Sequence, residues 1–366
     1  MFRTLALLAL FAAPVRADDK PKPPALTAKE VADGWIMLFD GETTFGWKVE
    51  GESAVKDGVW HLGGAKPAKA VLNAHFASYD LRIETNGSDG VAEVLFVGPS
   101  GQSAAGLADK PTELDIAVRV GPGQSMVVAK KFSDTGGVVR MTGEIPVPRQ
   151  TAVGFQIPAK NTLKIKTVKL KPVSTEALFN GKDLTGWKVN GADPKRMASK
   201  WSVTKDGELA VKDGPGDLVC EKEFANFVLQ FECKTNGKAL NSGIFFRCIS
   251  GQYQNGYEAQ IQNAYKDDDR TKPADFGTGA IYRRIAARKV VSNDNEWFTM
   301  TVAANGKQIA TWVNGYQTVD WTDDRKENDN PRQGYRAAKG PLSIQGHDPT
   351  TDILFRNIRA SELPAK

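Results

Sequence analysis

Cysteine, the residue of cross-links and thiol chemistry, is scarce in this chain. Three cysteines occur in 366 residues, Cys220, Cys233 and Cys248, and all lie in the second half. An odd count without Cys-x-x-Cys spacing argues against a zinc site and against a thiol nucleophile. In an oxidising compartment one disulfide could form and leave one thiol over, and buried free cysteines are the alternative.

A strong charge of one sign and a long apolar run are also missing. The chain has 48 Lys and Arg residues against 43 Asp and Glu residues, a net charge of +5, and no basic cluster is interleaved with aromatic residues. This composition argues against a nucleic-acid partner. No apolar run approaches the roughly 20 residues that a membrane-spanning helix needs. We therefore expect neither nucleic-acid binding nor a membrane span.

The amino terminus has the pattern of a secretory signal peptide. Arg3 precedes an apolar run over residues 5–13, and Val15 and Ala17 are small residues at the positions that a signal peptidase reads. We predict cleavage after Ala17 and, because no cysteine lies near the cut, no lipid anchor. The mature protein is expected to be periplasmic or secreted. Residues 18–25 are rich in Lys and Pro and predict a disordered leader.

The sequence has no long segment with the periodicity of a helix. Apolar residues instead alternate with a period of two, which is typical of β-strands. Large apolar residues alternate with their neighbours over 227–234, and Asn-Gly pairs at 305–306 and 314–315 separate alternating runs. Such pairs are the strongest short-range signal of a β-hairpin. A single short helical pattern lies at 27–32, where Thr27 and Glu30 form a capping box. The sequence predicts an all-β sandwich or jelly roll.

An internal duplication divides the chain. The segments LFDG at 38–41 and GWKV at 46–49 return, 140 residues later, as LFNG and GWKV. A period this long predicts two domains, since solenoid repeats run about 20–50 residues. We place a first jelly-roll domain at 26–172 and a second at 173–366. The short linker between them predicts that the two domains pack against each other.

Polar side chains follow one predicted strand of the second copy. In a strand at 257–263, Glu258, Gln260 and Gln262 share one face. A solvated outer face and the floor of a sugar-binding groove explain this row equally well. Arg247 lies among apolar neighbours in a second strand, and a charge in such surroundings usually has a specific partner. His347 stands in Gln-Gly-His-Asp before the last strand, where a structural role is the alternative to a functional one.

Seven blocks of the second copy occur together and in order. They are LFNGKDLTGW (178–187), NSGIFFR (241–247), GYEAQI (256–261), TGAIY (278–282), WVNG (312–315), IQGH (344–347) and FRNIR (355–359). Together they resemble the 3-keto-disaccharide hydrolase family, also described as 3-keto-glucoside 1,2-lyase and 3-keto-2-hydroxy-glucal hydratase domains. The resemblance covers nearly all of 176–362. It implies a fold of two concanavalin A-like, laminarinase-like jelly-roll β-sandwiches and a glucoside substrate oxidised to a ketone at C3.

The carboxylate pattern departs from that of ordinary glucanases on this fold. Laminarinase-type glycosidases carry Glu-x-Asp-x-x-Glu, and the same frame here reads Glu258-x-Gln260-x-x-Asn263. A retaining hydrolase needs two carboxyl groups about 5–5.5 Å apart. With two of the three carboxylates replaced by amides, this strand cannot supply them. Ordinary glucanase activity is disfavoured.

A 3-keto sugar removes the need for that carboxylate pair. The ketone acidifies the C2 hydrogen, so one base can form an enolate that expels the C1 substituent, and added water completes a net hydrolysis. Glu258 and His347 are the candidate base and acid, in either order. Arg247 and Gln260 are candidates for the enolate oxygen. The remaining candidates for substrate binding are Gln262, Asn263, Tyr282, Gln345 and Asn241. No cofactor is predicted, and the sequence gives no support for a divalent metal.

The first copy lacks several of these groups. It has no counterpart of Arg247, it has Pro158 where the second copy has His347, and it keeps a candidate remnant of the polar strand at 112–115. We interpret it as a degenerate partner. The partner expected for the whole chain is an oligosaccharide or glycoside, and the oligomeric state is open. A non-catalytic carbohydrate-binding module and an envelope scaffold are the alternatives to an enzyme.

Overall fold

The computed structural model describes residues 25–107, 109–121 and 145–364 with their side chains, and residues 125–134 and 137–138 as strands. The predicted signal peptide and nearly all of the predicted leader lie outside the described residues. One short helix, α1 (Ala28–Ala32), begins at the capping box that the sequence predicts, with Thr27 as its N-cap. In the described part of the chain, no helix is long and apolar enough to cross a membrane.

Among the described residues, strands make up the rest of the regular structure, apart from one 3-10 turn at Pro194–Arg196. The first copy contains β1 (Ile36–Phe39), β2 (Trp47–Glu50), β3 (Ser53–Lys56), β4 (Val59–Gly64), β5 (Ala68–Leu72), β6 (Tyr79–Ser88), β7 (Ala92–Gly98), β8 (Gly101–Leu107), β9 (Thr112–Val120), β10 (Ser125–Asp134), β11 (Gly137–Val138), β12 (Ile145–Pro146), β13 (Ala152–Ile157) and β14 (Asn161–Pro172).

The second copy begins after Pro172. Its strands are β15 (Glu176–Ala177), β16 (Trp187–Val189), β17 (Lys200–Val203), β18 (Leu209–Lys212), β19 (Gly216–Phe224), β20 (Phe227–Thr235), β21 (Ser242–Phe246), β22 (Tyr257–Ile261), β23 (Phe298–Asn305), β24 (Gln308–Val313), β25 (Tyr316–Thr322), β26 (Gly340–Gly346) and β27 (Asp352–Glu362).

The strand order is the same in both copies. One sheet of the first copy runs β11-β10-β9-β6-β14-β4-β3, and its counterpart in the second runs β25-β24-β23-β20-β27-β18-β17. The five-stranded sheets run β2-β5-β13-β7-β8 and β16-β19-β26-β21-β22. Two antiparallel sheets packed over an apolar core form a β-sandwich. The predicted fold of two jelly-roll β-sandwiches is confirmed.

The repeated sequence motif builds the same corner in each sandwich. The indole nitrogens of Trp47 and Trp187 donate to the carbonyls of Leu38 and Leu178, at 2.5 and 2.7 Å. Both tryptophans are buried. Buried indole nitrogens require such an acceptor. The duplicated tryptophans therefore have the same structural role in both copies.

The two sandwiches contact each other directly. Trp312 of β24 is fully buried among side chains of the first copy, and its indole nitrogen donates to the carbonyl of Met37 at 3.0 Å. Arg288 forms an ion pair of 2.7 Å with Asp40. The packing expected from the short linker is observed.

All three cysteines are free and buried. The structure thus favours buried thiols over a disulfide. Burial raises the pKa of the Cys233 and Cys248 thiols. High thiol pKa and burial make a cysteine unreactive.

Candidate functional site

One face of the five-stranded sheet in the second sandwich carries a polar cavity. Along β22, Tyr257, Ala259 and Ile261 enter the core, and Glu258 and Gln260 lie on the other face. The cavity has a volume of about 420 Å³. Six residues predicted from the sequence line it: Glu258, Gln260, Tyr282, Gln345, Asn241 and His347. The groove interpretation of the polar row therefore fits Glu258 and Gln260.

Glu258 is a buried carboxyl group at the bottom of this cavity. It is 7% exposed, and none of the described side chains donates a hydrogen bond to it. Burial raises its pKa to about 8, because the charged form is poorly solvated. The positive charges of Arg332 and Arg283 partly oppose this shift, and the negative charge of Asp275 adds to it. Glu258 is therefore mostly protonated at neutral pH.

A glycine on the neighbouring strand makes room for that carboxyl group. A Cβ atom on Gly243 would lie 2.6 Å from Oε1 of Glu258 and 2.8 Å from its Cγ. Non-bonded carbon and oxygen atoms do not approach so closely without displacement. The identity of residue 243 thus fixes where the Glu258 side chain lies.

His347 follows β26 at the rim of the cavity and is 41% exposed. Its Nδ1 lies 2.7 Å from Oδ2 of Asp348. Partial burial raises the pKa of Asp348, but hydrogen bonds from Thr350 and His347 outweigh it, so the net shift is downward. An ionised carboxylate only accepts hydrogen bonds, so Nδ1 donates to Asp348 and Nε2 is the ring nitrogen outside this hydrogen bond.

Two glutamines present unpaired oxygens in the cavity wall. Gln260 donates its amide to Asp275, at 3.1 Å to the carbonyl and 3.2 Å to Oδ2, and its own Oε1 is buried without a partner. Gln345 donates to Gln254 at 3.1 Å, and its Oε1 is likewise unpaired. An unsatisfied buried acceptor costs about 1–3 kcal/mol. Both oxygens lie beneath the accessible surface of the wall, so a ligand would reach them only after a shift of the side chains.

Tyr282 is held beside the sheet by main-chain hydrogen bonds. Its amide donates to the Glu258 carbonyl at 3.0 Å, and the adjacent Ile281 forms an isolated bridge with Ala259. Its ring packs against Phe276, with centroids 5.3 Å apart. On the same side, the Asn241 amide donates to Asp275 at 2.7 Å. The long connection between β22 and β23 thus forms one wall of the cavity.

Three arginines in the wall were not singled out from the sequence. Arg283 and Arg284 follow Tyr282, and Arg332 lies in the connection between β25 and β26. We call these three residues the arginine rim. Loops lack the periodicity that marked the strands. The available signal for Arg283 and Arg284 was their position next to the recognised block at 278–282, and Arg332 had no such signal.

Arg247 does not line the cavity, which corrects its predicted catalytic role. It is fully buried, and its guanidinium donates to the carbonyls of Ala225 at 2.7 Å and Gly306 at 2.9 Å. The strand β21 ends at Phe246, and Arg247 has a φ of +49°. Strand alternation therefore no longer decides where its side chain lies. Its specific partners are main-chain carbonyls, so it stabilises the fold.

Gln262 and Asn263 also lie outside the cavity lining, contrary to their predicted role. Because β22 ends at Ile261, the shared face ends with Gln260. Gln262 donates to the Ala239 carbonyl at 3.1 Å. Asn263 accepts from Thr278 and Ser292, both at 2.6 Å, within a buried polar cluster. Both side chains hold the connection that carries Tyr282.

The predicted remnant of the polar strand in the first copy is wrong. Glu113 lies in β9, which corresponds to β23, whereas the counterpart of β22 is β8. Glu113 is 42% exposed and lies 3.5 Å from Arg82. A short local match placed the residue without knowledge of the strand order.

Potential metal ligands are not clustered in the described ranges: no group of three or more His, Cys, Asp or Glu side chains could hold an ion.

Comparisons with known proteins place this cavity in a family. The model of 3-keto-alpha-glucoside-1,2-lyase-like domains matches residues 174–361, just over half of the chain, and this range contains the whole cavity. A curated 3-keto-disaccharide hydrolase from Bacteroides thetaiotaomicron is 38% identical over 78 residues. That alignment covers 19% of this chain and only 26% of the relative.

Solved structures were also compared. A protein described as a glycosyl hydrolase from Parabacteroides distasonis is 25% identical, with a TM-score of 0.42, over 52% of this chain and 94% of that one. The carbohydrate-binding module CBM66 from Bacillus subtilis is 16% identical, with a TM-score of 0.35, over 48% of this chain and 96% of that one.

A jelly-roll sandwich with a polar cavity, matched by this family model, defines a carbohydrate-active protein. The chain belongs to the family of 3-keto-alpha-glucoside-1,2-lyase-like domains, as the resemblance of the seven blocks predicted.

Proposed function

We propose that the second sandwich cleaves 3-keto-glucosides, including 3-keto-disaccharides, by elimination followed by hydration. The observation that carries this proposal is that Glu258 and His347 line one cavity inside the region that the family model matches. The two side chains differ in environment, one buried and one half-exposed. Such a difference is how proteins give two titratable groups opposite roles.

We assign the two roles on the basis of these environments. Nε2 of His347 accepts the proton from C2 of the sugar, and the electron pair forms an enolate with the C3 ketone. The enolate collapses, a C1–C2 double bond forms, and the bond from C1 to the leaving oxygen breaks. The protonated carboxyl group of Glu258 donates its proton to that oxygen. The products are the free alcohol and an unsaturated 2-hydroxy-3-keto-glucal.

Hydration runs the same proton transfers in reverse. The Glu258 carboxylate takes a proton from water as the water oxygen bonds to C1, and the enolate forms again. The imidazolium of His347 then returns a proton to C2. The product is 3-keto-glucose, and both side chains regain their starting protonation states.

The carboxyl content of the cavity supports this chemistry over ordinary glycoside hydrolysis. Among the described residues, Glu258 is the only carboxyl group in the lining. Retaining and inverting glycosidases both use two carboxyl groups flanking the glycosidic bond. Elimination from a 3-keto sugar needs one general acid and one general base, which the cavity has.

The test uses the full chain with 3-keto-trehalose and 3-keto-sucrose, following ultraviolet absorbance of the enone and release of 3-keto-glucose. We expect transient absorbance and turnover. An absence of turnover would contradict the proposal. Measurable affinity for the unoxidised glycans without turnover would indicate a carbohydrate-binding module, and no binding at all would indicate a scaffold.

We further infer that the protein acts after export, on the basis of the predicted signal peptide. The check is the amino-terminal sequence of the mature protein, which should begin at Asp18. A mature chain that retains residues 1–17 would contradict export by this signal.

A further inference from the structure

We infer that the arginine rim binds a negatively charged group of the substrate, a carboxylate or a phosphate on the glycoside, before any chemistry begins. This inference rests on the proposed function and names its substrate class. The cavity would then select acidic glycosides over neutral ones.

The first observation is an uncompensated positive charge. The cavity lining contains three guanidinium groups, of Arg283, Arg284 and Arg332, against a single carboxyl group. Burial keeps that carboxyl largely protonated at neutral pH, since the pKa of Glu258 is about 8. Two nearby carboxylates lie outside the lining: Oδ2 of Asp275 accepts from the amides of Asn241 and Gln260, and Asp323 is paired with Arg325.

The second observation is that several arginines elsewhere in the described chain are paired with carboxylates, whereas others, such as Arg247, donate to uncharged acceptors. Ion pairs of 2.5–2.8 Å join Arg82 to Asp115, Arg119 to Asp80, Arg288 to Asp40, Arg325 to Asp323 and Arg356 to Glu232. In the described part of the chain, no carboxylate lies within 4 Å of a guanidinium nitrogen of the rim. The charge of the rim is therefore available to a ligand.

The hydrogen bonds of the rim position the guanidinium groups without neutralising them. Arg284 donates to the carbonyls of Arg283 at 3.2 Å and Arg332 at 2.7 Å, and Arg332 donates to the carbonyl of Gln254. Arg283 lies over the ring of Tyr282, 5.3 Å from its centroid. Burial, together with the nearby positive charge of Arg325, lowers the pKa of Arg284, and the negative charge of Asp323 offsets this shift only in part.

Stabilising the enolate would not by itself require all three guanidinium groups of the arginine rim. A neutral 3-keto-glucoside develops one transient negative charge, and a single guanidinium or hydrogen-bond donor can stabilise it. Two further cations near one another repel and are costly to hold beside a half-enclosed cavity. Guanidinium groups match carboxylate and phosphate geometry, and such charge-assisted bonds are the strong ones.

The experiment measures binding by calorimetry with unoxidised ligands, so it does not depend on turnover. The probes are trehalose, trehalose 6-phosphate and a disaccharide that carries a glucuronic acid carboxylate. At low salt we expect the acidic probe that fits to bind at least about tenfold more tightly than trehalose. The two acidic probes show whether phosphate or carboxylate is preferred.

Variants of the rim locate the effect. We expect Arg283→Gln and Arg332→Gln to remove most of the preference, and Arg283→Lys to keep part of it because the charge remains. The matched control is Arg356→Gln, on the other sheet and already paired with Glu232. Equal affinity for neutral and acidic probes would overturn the inference, as would an equal loss in the control.

Turnover of neutral 3-keto-trehalose, measured separately, keeps this result distinct from the proposed function. Turnover without a preference for acidic probes would overturn the inference alone. A preference without turnover on any 3-keto-glucoside would overturn the proposed function alone. If Arg283→Gln lowers kcat on the neutral substrate and leaves acidic binding unchanged, the rim serves the enolate and the inference is wrong.

Discussion

The two sandwiches share their strand order and the buried hydrogen bonds of Trp47 and Trp187, but they differ in the connections between strands. In the first, β8 ends at Leu107 and β9 begins at Thr112; in the second, residues 262–297 separate β22 from β23. That long connection supplies Tyr282 and two arginines of the rim. The two copies thus share the scaffold, and in the second the strands supply Glu258, Gln260 and Gln345 while the longer connections supply the arginine rim.

The largest expected effect is the loss of turnover when Glu258, in the cavity of the second sandwich, is replaced. Glu258→Gln removes the proton that the leaving oxygen needs, so we expect turnover of 3-keto-trehalose to fall by about 10²–10⁴-fold. A control change in the first sandwich, Glu113→Gln on β9, should leave turnover within about twofold. Comparable losses in both variants would show that activity does not reside in the second cavity.

The second comparison replaces one strand glycine in each sandwich, Gly243 and Gly106, by alanine. In Gly243→Ala the new methyl group would displace the Glu258 carboxyl, and a shift of about 1 Å can cost on the order of 100-fold in rate. Gly106→Ala is the control, since a Cβ there meets nothing within 4 Å. We expect kcat/KM to fall for the first variant only. Full activity of Gly243→Ala would mean that the position of Glu258 is not critical.

The pH dependence of the rate reports the protonation state of Glu258. As a general acid it must carry its proton, so kcat/KM should fall as pH rises through about 8, roughly tenfold per unit above it. The residual activity of Glu258→Gln should lack this alkaline limb. A rate that rises through pH 8 would instead make Glu258 the base and reverse the assigned roles.

The smallest expected effect concerns the free energy of unfolding, which should depend on pH through the buried Glu258 side chain. The folded chain keeps the Glu258 proton up to about pH 8, whereas the ordinary value is 4.5, so the free energy of unfolding should fall as pH rises between these values and then level off. Because each pKa unit corresponds to about 1.4 kcal/mol, Glu258→Gln should gain a few kcal/mol at pH 8. Urea unfolding at pH 4.5 and 8 measures it. An equal gain from Glu113→Gln would contradict burial as the cause.

The strands were predictable from the sequence because their periodicity is local. Alternation placed Tyr257 and Ala259 in the core and Glu258 and Gln260 on the open face, as the structure has them. Gln262 was misplaced because alternation was extended past the end of β22.

Side-chain positions that depend on long-range packing could not be predicted from the sequence. Arg247 was assigned to the cavity from its neighbours in sequence, but its carbonyl partners come from other connections. Glu113 was matched by a short motif, although it lies in a different sheet from the counterpart of Glu258. The arginine rim has no periodic signal, since it comes from two connections that only the fold brings together.

The central claim is that the second cavity acts by removing the hydrogen from C2. The direct test is turnover of 3-keto-trehalose in D₂O, followed at early times by ¹H NMR, with an enzyme-free control for spontaneous exchange. We expect the released 3-keto-glucose to carry deuterium at C2. Release of 3-keto-glucose with its original C2 hydrogen would contradict elimination and indicate direct hydrolysis.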